Sequence, residues 1–137
     1  LIREVLKKDT AEKIMNREPV SVCSGLTVTD FVHNYLYKFH YKIFPVIDYD
    51  LKLQGVLLSR KVFDLSCQEW ERYTVNEIAM PQLTELTVGI NENIFSVITH
   101  MQKTGQSRVV VIDGDKQPKG IIVFKDILKY LSEKMNL

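Results

Sequence analysis

The chain has 137 residues, 45% of them hydrophobic and 26% charged, with a formal net charge of +1. That allows one compact core, falls short of two ordinary independent domains, and is too neutral for binding nucleic acid by bulk phosphate attraction. No apolar run approaches the roughly 20 residues of a membrane helix, and the opening does not read as a signal peptide.

Beginning at Leu1 rather than Met, the sequence reads as a piece of a longer protein. Leu1 to Lys8 has Ile2, Val5 and Leu6 at helical spacing, and Thr10 to Met15 predicts another helical turn ended by Glu18-Pro19. Val20-Ser21-Val22 follows as a short strand. Thr27 to Phe39 predicts the first substantial helix, with Phe31, Val32, Tyr35, Leu36 and Phe39 on one stripe and Thr27 or Thr29 as cap. Ile43 to Ile47 is a buried strand, which Pro45 assigns to an edge or to the neighbourhood of a break. Asp48 to Lys52 form a turn, Leu53 to Leu58 the return strand, and Ser59 the cap of a helix from Arg60 to about Cys67.

Glu69 to Tyr73 connects to a second copy of the same pattern. Met15 and Met80, Asp48 and Asp113, and Gly55 and Gly120 are each 65 positions apart. Between them the best offset becomes 66, matching Val20-Ser21-Val22 to Leu86-Thr87-Val88 and Phe31-Val32 to Val97-Ile98, so the first helix carries one extra residue. Ile94, Val97, Ile98 and Met101 form the second helix's stripe. Asp113-Gly114-Asp115 makes a turn, and Asp126 to Met135 a closing amphipathic helix through Ile127, Leu128 and Leu131. Each unit reads β-α-β-β-α. One such unit of about 60 residues is marginal alone, whereas two can bury their open sheet faces together. The fold class is α+β: two repeats, residues 10–72 and 73–134, packed with pseudo-twofold symmetry behind a lead-in of residues 1–9.

This ordered set resembles the tandem CBS-domain pair, through Ile14-Met15, Phe44 to Asp48 and Gly55, then Met80, Val109 to Asp113, Gly120 and Asp126. The lead-in Leu1 to Leu6, the helix Asp30 to Leu36 and the linker Gln68-Glu69-Trp70 look like the C-terminal CBS pair of site-2-protease-type intramembrane zinc metalloproteases. That likeness implies a membrane-embedded catalytic part upstream and a place on the cytoplasmic face of a membrane. The chain has no HExxH motif, so this part is not expected to be an enzyme or to hold a metal.

The resemblance implies an adenosyl ligand (AMP, ADP, ATP or S-adenosylmethionine) in a cleft between the repeats. In the family's motif, Gly-h-h-Thr/Ser-x-x-Asp, the Asp holds the ribose hydroxyls and the hydroxyl residue helps with phosphate. The chemistry fits, since a carboxylate accepts two hydrogen bonds from a vicinal diol. Here the second copy keeps Asp126 but has Val123 at the hydroxyl position; the first has Leu58 and Lys61 in place of both. At most one ribose-type site is therefore expected, Asp126 and Val123 with Val20, Tyr41 as adenine wall and Lys42 as phosphate partner. The degenerate cleft, lined by Lys61, Leu86, Ser107 and Arg108, is expected to be empty or to hold an anion.

Plainer readings stand beside these. Asp126 at a helix start suits a cap or first-turn charge without any ligand. Lys38, His40, Lys42 and Arg108 suit a solvated face. Asp48/Asp50 and Asp113/Asp115 are turn formers, and Trp70 and Tyr73 packing anchors. His33, His40 and His100 lack metal-ligand spacing. Cys23 and Cys67, far apart and outside any cluster, predict ordinary buried thiols in a reducing compartment. The leading function is a non-catalytic regulatory module that binds an adenine nucleotide. The alternative is a ligand-free dimerisation or docking module, a homodimer through its helices attached to a membrane protease.

Overall fold

The computed structural model describes residues 2–135; the expected helix start at Leu1 lies outside them. The first elements are α1 (Ile2–Lys8), the single turn α2 (Ala11–Ile14) and β1 (Asn16–Arg17), a strand absent from the sequence reading. β2 is Val22–Cys23 rather than Val20 to Val22. The first helix has three parts: α3 (Val28–Phe31), a widened turn (Val32–Leu36) and α4 (Tyr37–Phe39). The hairpin β3 (Ile43–Ile47) and β4 (Leu53–Leu58) falls where the apolar runs and the turn between them placed it. A 3-10 stretch (Ser59–Asp64), α5 (Cys67–Trp70), α6 (Val75–Ile78) and α7 (Leu83–Leu86) follow. The second copy then runs β5 (Thr87–Gly89), α8 (Ile94–Thr104), β6 (Arg108–Ile112), β7 (Pro118–Val123) and α9 (Phe124–Met135).

The chain forms two compact units, one joining the residues up to Pro19 to those from Thr84 onward, the other Val20–Leu83. The lead-in of each repeat, including the opening of the repeat itself up to Pro19 in the first copy and up to Leu83 in the second, therefore packs with the other repeat's body. The unit containing the C-terminus has a four-stranded sheet in the order β1-β7-β6-β5, parallel between β5 and β6 and antiparallel elsewhere. Its core joins Leu6, Ala11 and Met15 of the lead-in to Val109, Val111, Ile122 and Ile127. The lead-in is tied by backbone bonds from Ala11 N–H to Glu92 C=O at 2.8 Å and from Ile94 N–H to Asp9 C=O at 3.0 Å.

The Val20–Leu83 unit has a three-stranded sheet, β2-β3-β4, over a core of Phe31, Phe44, Val46, Leu57, Val62 and Val75. Its lead-in, the turn before Pro81, touches the hairpin through one bridge, Val56 to Met80, with N–H···O distances of 3.0 and 2.8 Å. Pro81 and α7 then carry the chain off, so no fourth strand of residues 80–82 forms.

Several local expectations change. β3 is a central strand, not an edge, and Pro45 sits instead beside a break, the register with β4 shifting between Val46 and Ile47. Pro45 is tolerated there because pairing with β2 begins only at Val46, so its missing N–H leaves no ladder bond unmade. The helix expected from Arg60 stops at Asp64, because Ser66 and Glu69 form a capping box that starts α5 instead. Ser59 caps nothing; its hydroxyl donates to the Lys42 carbonyl at 3.2 Å. Of the two candidate caps for the first helix, Thr27 serves, its Oγ1 accepting from the Asp30 amide at 3.1 Å. Leu128 leaves the buried stripe and is 52% exposed; Tyr130 takes the buried place in α9. Cys23 and Cys67 are free but exposed rather than buried. Trp70 is the packing anchor expected of it, its indole N–H donating to the Val62 carbonyl at 3.0 Å.

Candidate functional site

Asp126 is the third residue of α9, half-buried, so it is a first-turn charge rather than the cap. Its position follows from the hairpin below it. Gly120 in β7 faces β1, where a Cβ would meet Met15 Sδ at 2.5 Å and Asn16 O at 2.9 Å, so only glycine admits the lead-in strand this closely. With β1 seated, Asn16 pairs with Ile121 and Arg17 with Gly120. The Asn16 carboxamide then reaches over the hairpin end, its Nδ2 donating to Asp126 Oδ2 at 3.0 Å and to the Ile121 carbonyl at 3.4 Å. Among the described residues Asp126 forms no ion pair, and Oδ1 accepts no hydrogen bond.

The other second-copy residues lie in the same unit. Val123, at the position of the missing hydroxyl, ends β7 directly opposite Arg108. Cross-strand partners share a sheet face, so the Arg108 side chain issues beside Val123. Ser107 accepts the Phe124 amide through its carbonyl at 2.9 Å, which joins the start of β6 to the start of α9. Leu86 is buried, 3% exposed, at the end of α7.

Val20, Tyr41, Lys42 and Lys61 belong to the Val20–Leu83 unit. Val20 precedes β2 and packs on that unit's core. Tyr41 is 49% exposed, its ring 5.6 Å from Phe39 and 5.9 Å from Phe44, centroid to centroid. It is the open edge of a cluster in which Phe31 and Phe44 cross edge-to-face at 4.9 Å. One face of Tyr41 is thus backed by aromatic surface, which fixes the ring. The Lys42 carbonyl accepts from the Ser59 amide at 2.9 Å, which anchors the backbone, and its exposed ammonium makes no ion pair among the described residues. Lys61 is on the 3-10 stretch, 4.0 Å from Asp64.

The acidic turn pairs do the work of turns. Asp48 Oδ1 accepts from the amides of Asp50 and Lys52, and Asp113 Oδ1 from those of Asp115 and Gln117. The Gln117 amide, with smaller help from Asp115 and Lys119, holds the Asp113 carboxyl below its ordinary range. His100 Nε2 lies 2.9 Å from the Glu85 carbonyl. Among the described residues no group of three His, Cys, Asp or Glu is placed to hold a metal ion. Sequence reasoning missed Asn16. A signal was present, for the 65-residue offset sets Asn16 against Pro81 where it sets Asp126 against Lys61.

Comparison with known proteins identifies the family and the fold. The family profile described as CBS domain matches residues 11–66 and 75–133. A Synechocystis protein named as a zinc metalloprotease, sll0528, is 24% identical over 131 residues, covering 95% of this chain and 35% of its own. The chain thus spans about a third of that relative's length. Among solved structures, the CBS domain of a bacterial CNNM/CorC family Mg2+ transporter in complex with ATP matches at a TM-score of 0.81 and 19% identity, covering 95% of this chain and 92% of that one. The CBS domain pair of protein MJ0100, in complex with 5-methylthioadenosine and S-adenosyl-L-methionine, matches at 0.75 and 23%, covering 92% and 98%. At these identities the structural matches bear on the fold.

Proposed function

Because the chain belongs to the CBS-domain family and carries two such domains in tandem, we propose that it is a non-catalytic regulatory module for an adenosyl nucleotide. The ribose hydroxyls dock on Asp126. Val20, Tyr41 and Lys42 are assigned by the family pattern to adenine and phosphate, and Val123 marks one phosphate contact fewer. The observation that carries this reading is the Asp126 carboxylate, half-exposed, unpaired by any cation among the described residues and retained in one copy only. That related folds are solved with ATP, or with 5-methylthioadenosine and S-adenosylmethionine, supports the ligand class.

The attached effector, on this reading, is an intramembrane zinc metalloprotease, with this chain on its cytoplasmic side; the likeness to sll0528 supports it. No helix among the described residues is long and apolar enough to cross a membrane. The nucleotide acts on the effector by binding two conformations unequally, since equal binding shifts nothing. Calorimetry with AMP, ADP, ATP and S-adenosylmethionine tests the site. Saturable binding lost in Asp126→Ala is the expected result, and no heat from any of the four at millimolar concentration overturns it.

A second reading is supported by two exposed apolar side chains at positions related by the repeat, Phe63 at 69% and Leu128 at 52% exposure. Such matched residues suit a symmetric contact with a second copy, making the chain a dimerisation module of its parent. Light scattering checks it: a monomer at high protein concentration removes this reading.

A further inference from the structure

We propose that Asn16 is the positioning residue of the ribose site, holding Asp126 in the rotamer that accepts a vicinal diol; this rests on the reading of Asp126 above. Both partners of Nδ2, the Asp126 carboxylate and the Ile121 carbonyl, are acceptors, so the amide orientation is settled by its surroundings. One donor group engages Asp126 Oδ2, and the carboxylate is thereby kept from rotating. Oδ1 keeps its full accepting capacity and Oδ2 a second lone pair, which is what two adjacent hydroxyl groups require.

A bland alternative is that the bond merely fastens β1 to the hairpin. The first copy argues against it. There the hairpin Leu53–Leu58 also holds a lead-in, through Val56 and Met80, with no side-chain bond of this kind. Gly55 admits that lead-in as Gly120 admits β1, a Cβ at Gly55 meeting Met80 O at 2.9 Å. The close approach of the lead-in to the hairpin therefore forms without the carboxamide, as a single bridge rather than a two-residue strand. What the first copy lacks is both members together, Pro81 standing where Asn16 would and Lys61 where Asp126 would. A pair absent as a pair from the copy without the carboxylate serves the carboxylate rather than the hairpin.

The site chemistry also favours an amide in this role. A lysine or arginine here would fix Asp126 as well, but would neutralise the charge and compete with the hydroxyls for both oxygens. A carboxamide donates without a formal charge, so the carboxylate remains a strong acceptor. Asn16 is itself exposed and β1 is held by its backbone, so truncating the side chain leaves the fold intact.

The test is a double-mutant cycle on the whole chain, titrated calorimetrically with AMP, ATP and S-adenosylmethionine. Asn16→Ala weakens whichever of these binds by roughly tenfold, the usual worth of one hydrogen bond to a charged group. Asn16→Ser, which keeps a donor, recovers part of that loss, and Asn16→Ala adds nothing in an Asp126→Ala background. With AMP or ATP, Asn16→Ala also narrows the preference for the ribonucleotide over its 2′-deoxy form, an effect a purely structural role would not produce. Melting temperatures of the variants stay close to the parent's. If Asp126→Ala abolishes binding while Asn16→Ala binds normally, or the two losses add in full, this inference falls and the nucleotide site stands. If the parent chain binds none of the three, both fall.

Discussion

The Tyr37 amide donates to the Val32 carbonyl five residues back, so the first helix contains one widened turn. That turn is where the extra residue of the first copy is absorbed. Val32 corresponds to Ile98 at an offset of 66 and Tyr37 to Gln102 at an offset of 65, so five steps in one copy match four in the other. A looped-out residue keeps Val32 and Leu36 buried on one side and Tyr35 and Phe39 beside them. Deleting exposed Asn34 should therefore return the helix to an ordinary α-turn at a cost within about 1 kcal/mol, a surface-sized effect. Deleting exposed Thr99 from the regular α8 should instead rotate Met101 out of the core by one residue and cost roughly 3 kcal/mol or more. Thermal melts of the two deletions check this; equal losses would dismiss the insertion account.

The two hairpin glycines are needed for close approach and not for turning. At Gly55 a Cβ meets the Met80 carbonyl at 2.9 Å and the Ala79 Cβ at 3.2 Å, and neither can swing aside. At Gly120 the nearest atoms belong to the flexible Met15 side chain, with the Asn16 carbonyl behind at 2.9 Å. Both alanine substitutions should destabilise by about 1–3 kcal/mol, Gly55→Ala the more severely. Chemical denaturation measures each, and a neutral Gly55→Ala would refute the contact argument. Gly120→Ala should in addition weaken nucleotide binding, because it displaces Asn16 from Asp126.

How far the sequence reached depended on the range of the interaction. The hairpins were legible because apolar runs, glycine and the Asp turns are local, and the repeat supplied each twice. The extra helical residue was legible as a change of offset, but its form was not, since spacing alone does not say which turn widens. The exchange of lead-in segments has no local signature. β1 forms only because Gly120, more than a hundred positions away, leaves room for it. The same holds for Asn16 and Asp126, whose contact spans 110 positions. Pro45 marked a break rather than an edge: the register shifts just after it, and β2 is too short to ask for its N–H.

The first helix ends on His40 at φ 55°, in the left-handed region, where α8 ends on Gly105 at φ 72°. A side chain in that conformation carries a steric cost that glycine avoids. His40→Gly should thus be neutral or stabilising by up to about 1 kcal/mol, while Gly105→Ala should cost about 1 kcal/mol, though nothing lies within 4 Å of its Cβ. The opposite signs are the point of the comparison. Melting both variants beside the parent decides it, and a large loss in His40→Gly would assign His40 a contact beyond its backbone role.

The Tyr130 hydroxyl donates to the Asp9 carboxylate, which also lies 3.8 Å from Lys134, and so joins the end of α1 to α9. Burial first, and then the Asp9 charge, hold the Tyr130 phenol well above its ordinary value of 10.0. The protonated phenol is thus favoured more in the folded chain than in the unfolded one. A raised folded value gives stability that is complete below the unfolded value and is lost as pH climbs above it. The parent chain should accordingly lose stability from about pH 10 upward as the unfolded chain releases this proton first. Tyr130→Phe should be less stable at neutral pH by about 1.5–3 kcal/mol, the worth of a hydrogen bond to a charged group. The gap between the two proteins should then close as pH rises above 10, because phenylalanine has no proton to lose. Denaturation curves from pH 8 to 11 follow that difference, and a gap that stays constant across the range would show that Asp9 and Tyr130 are not coupled.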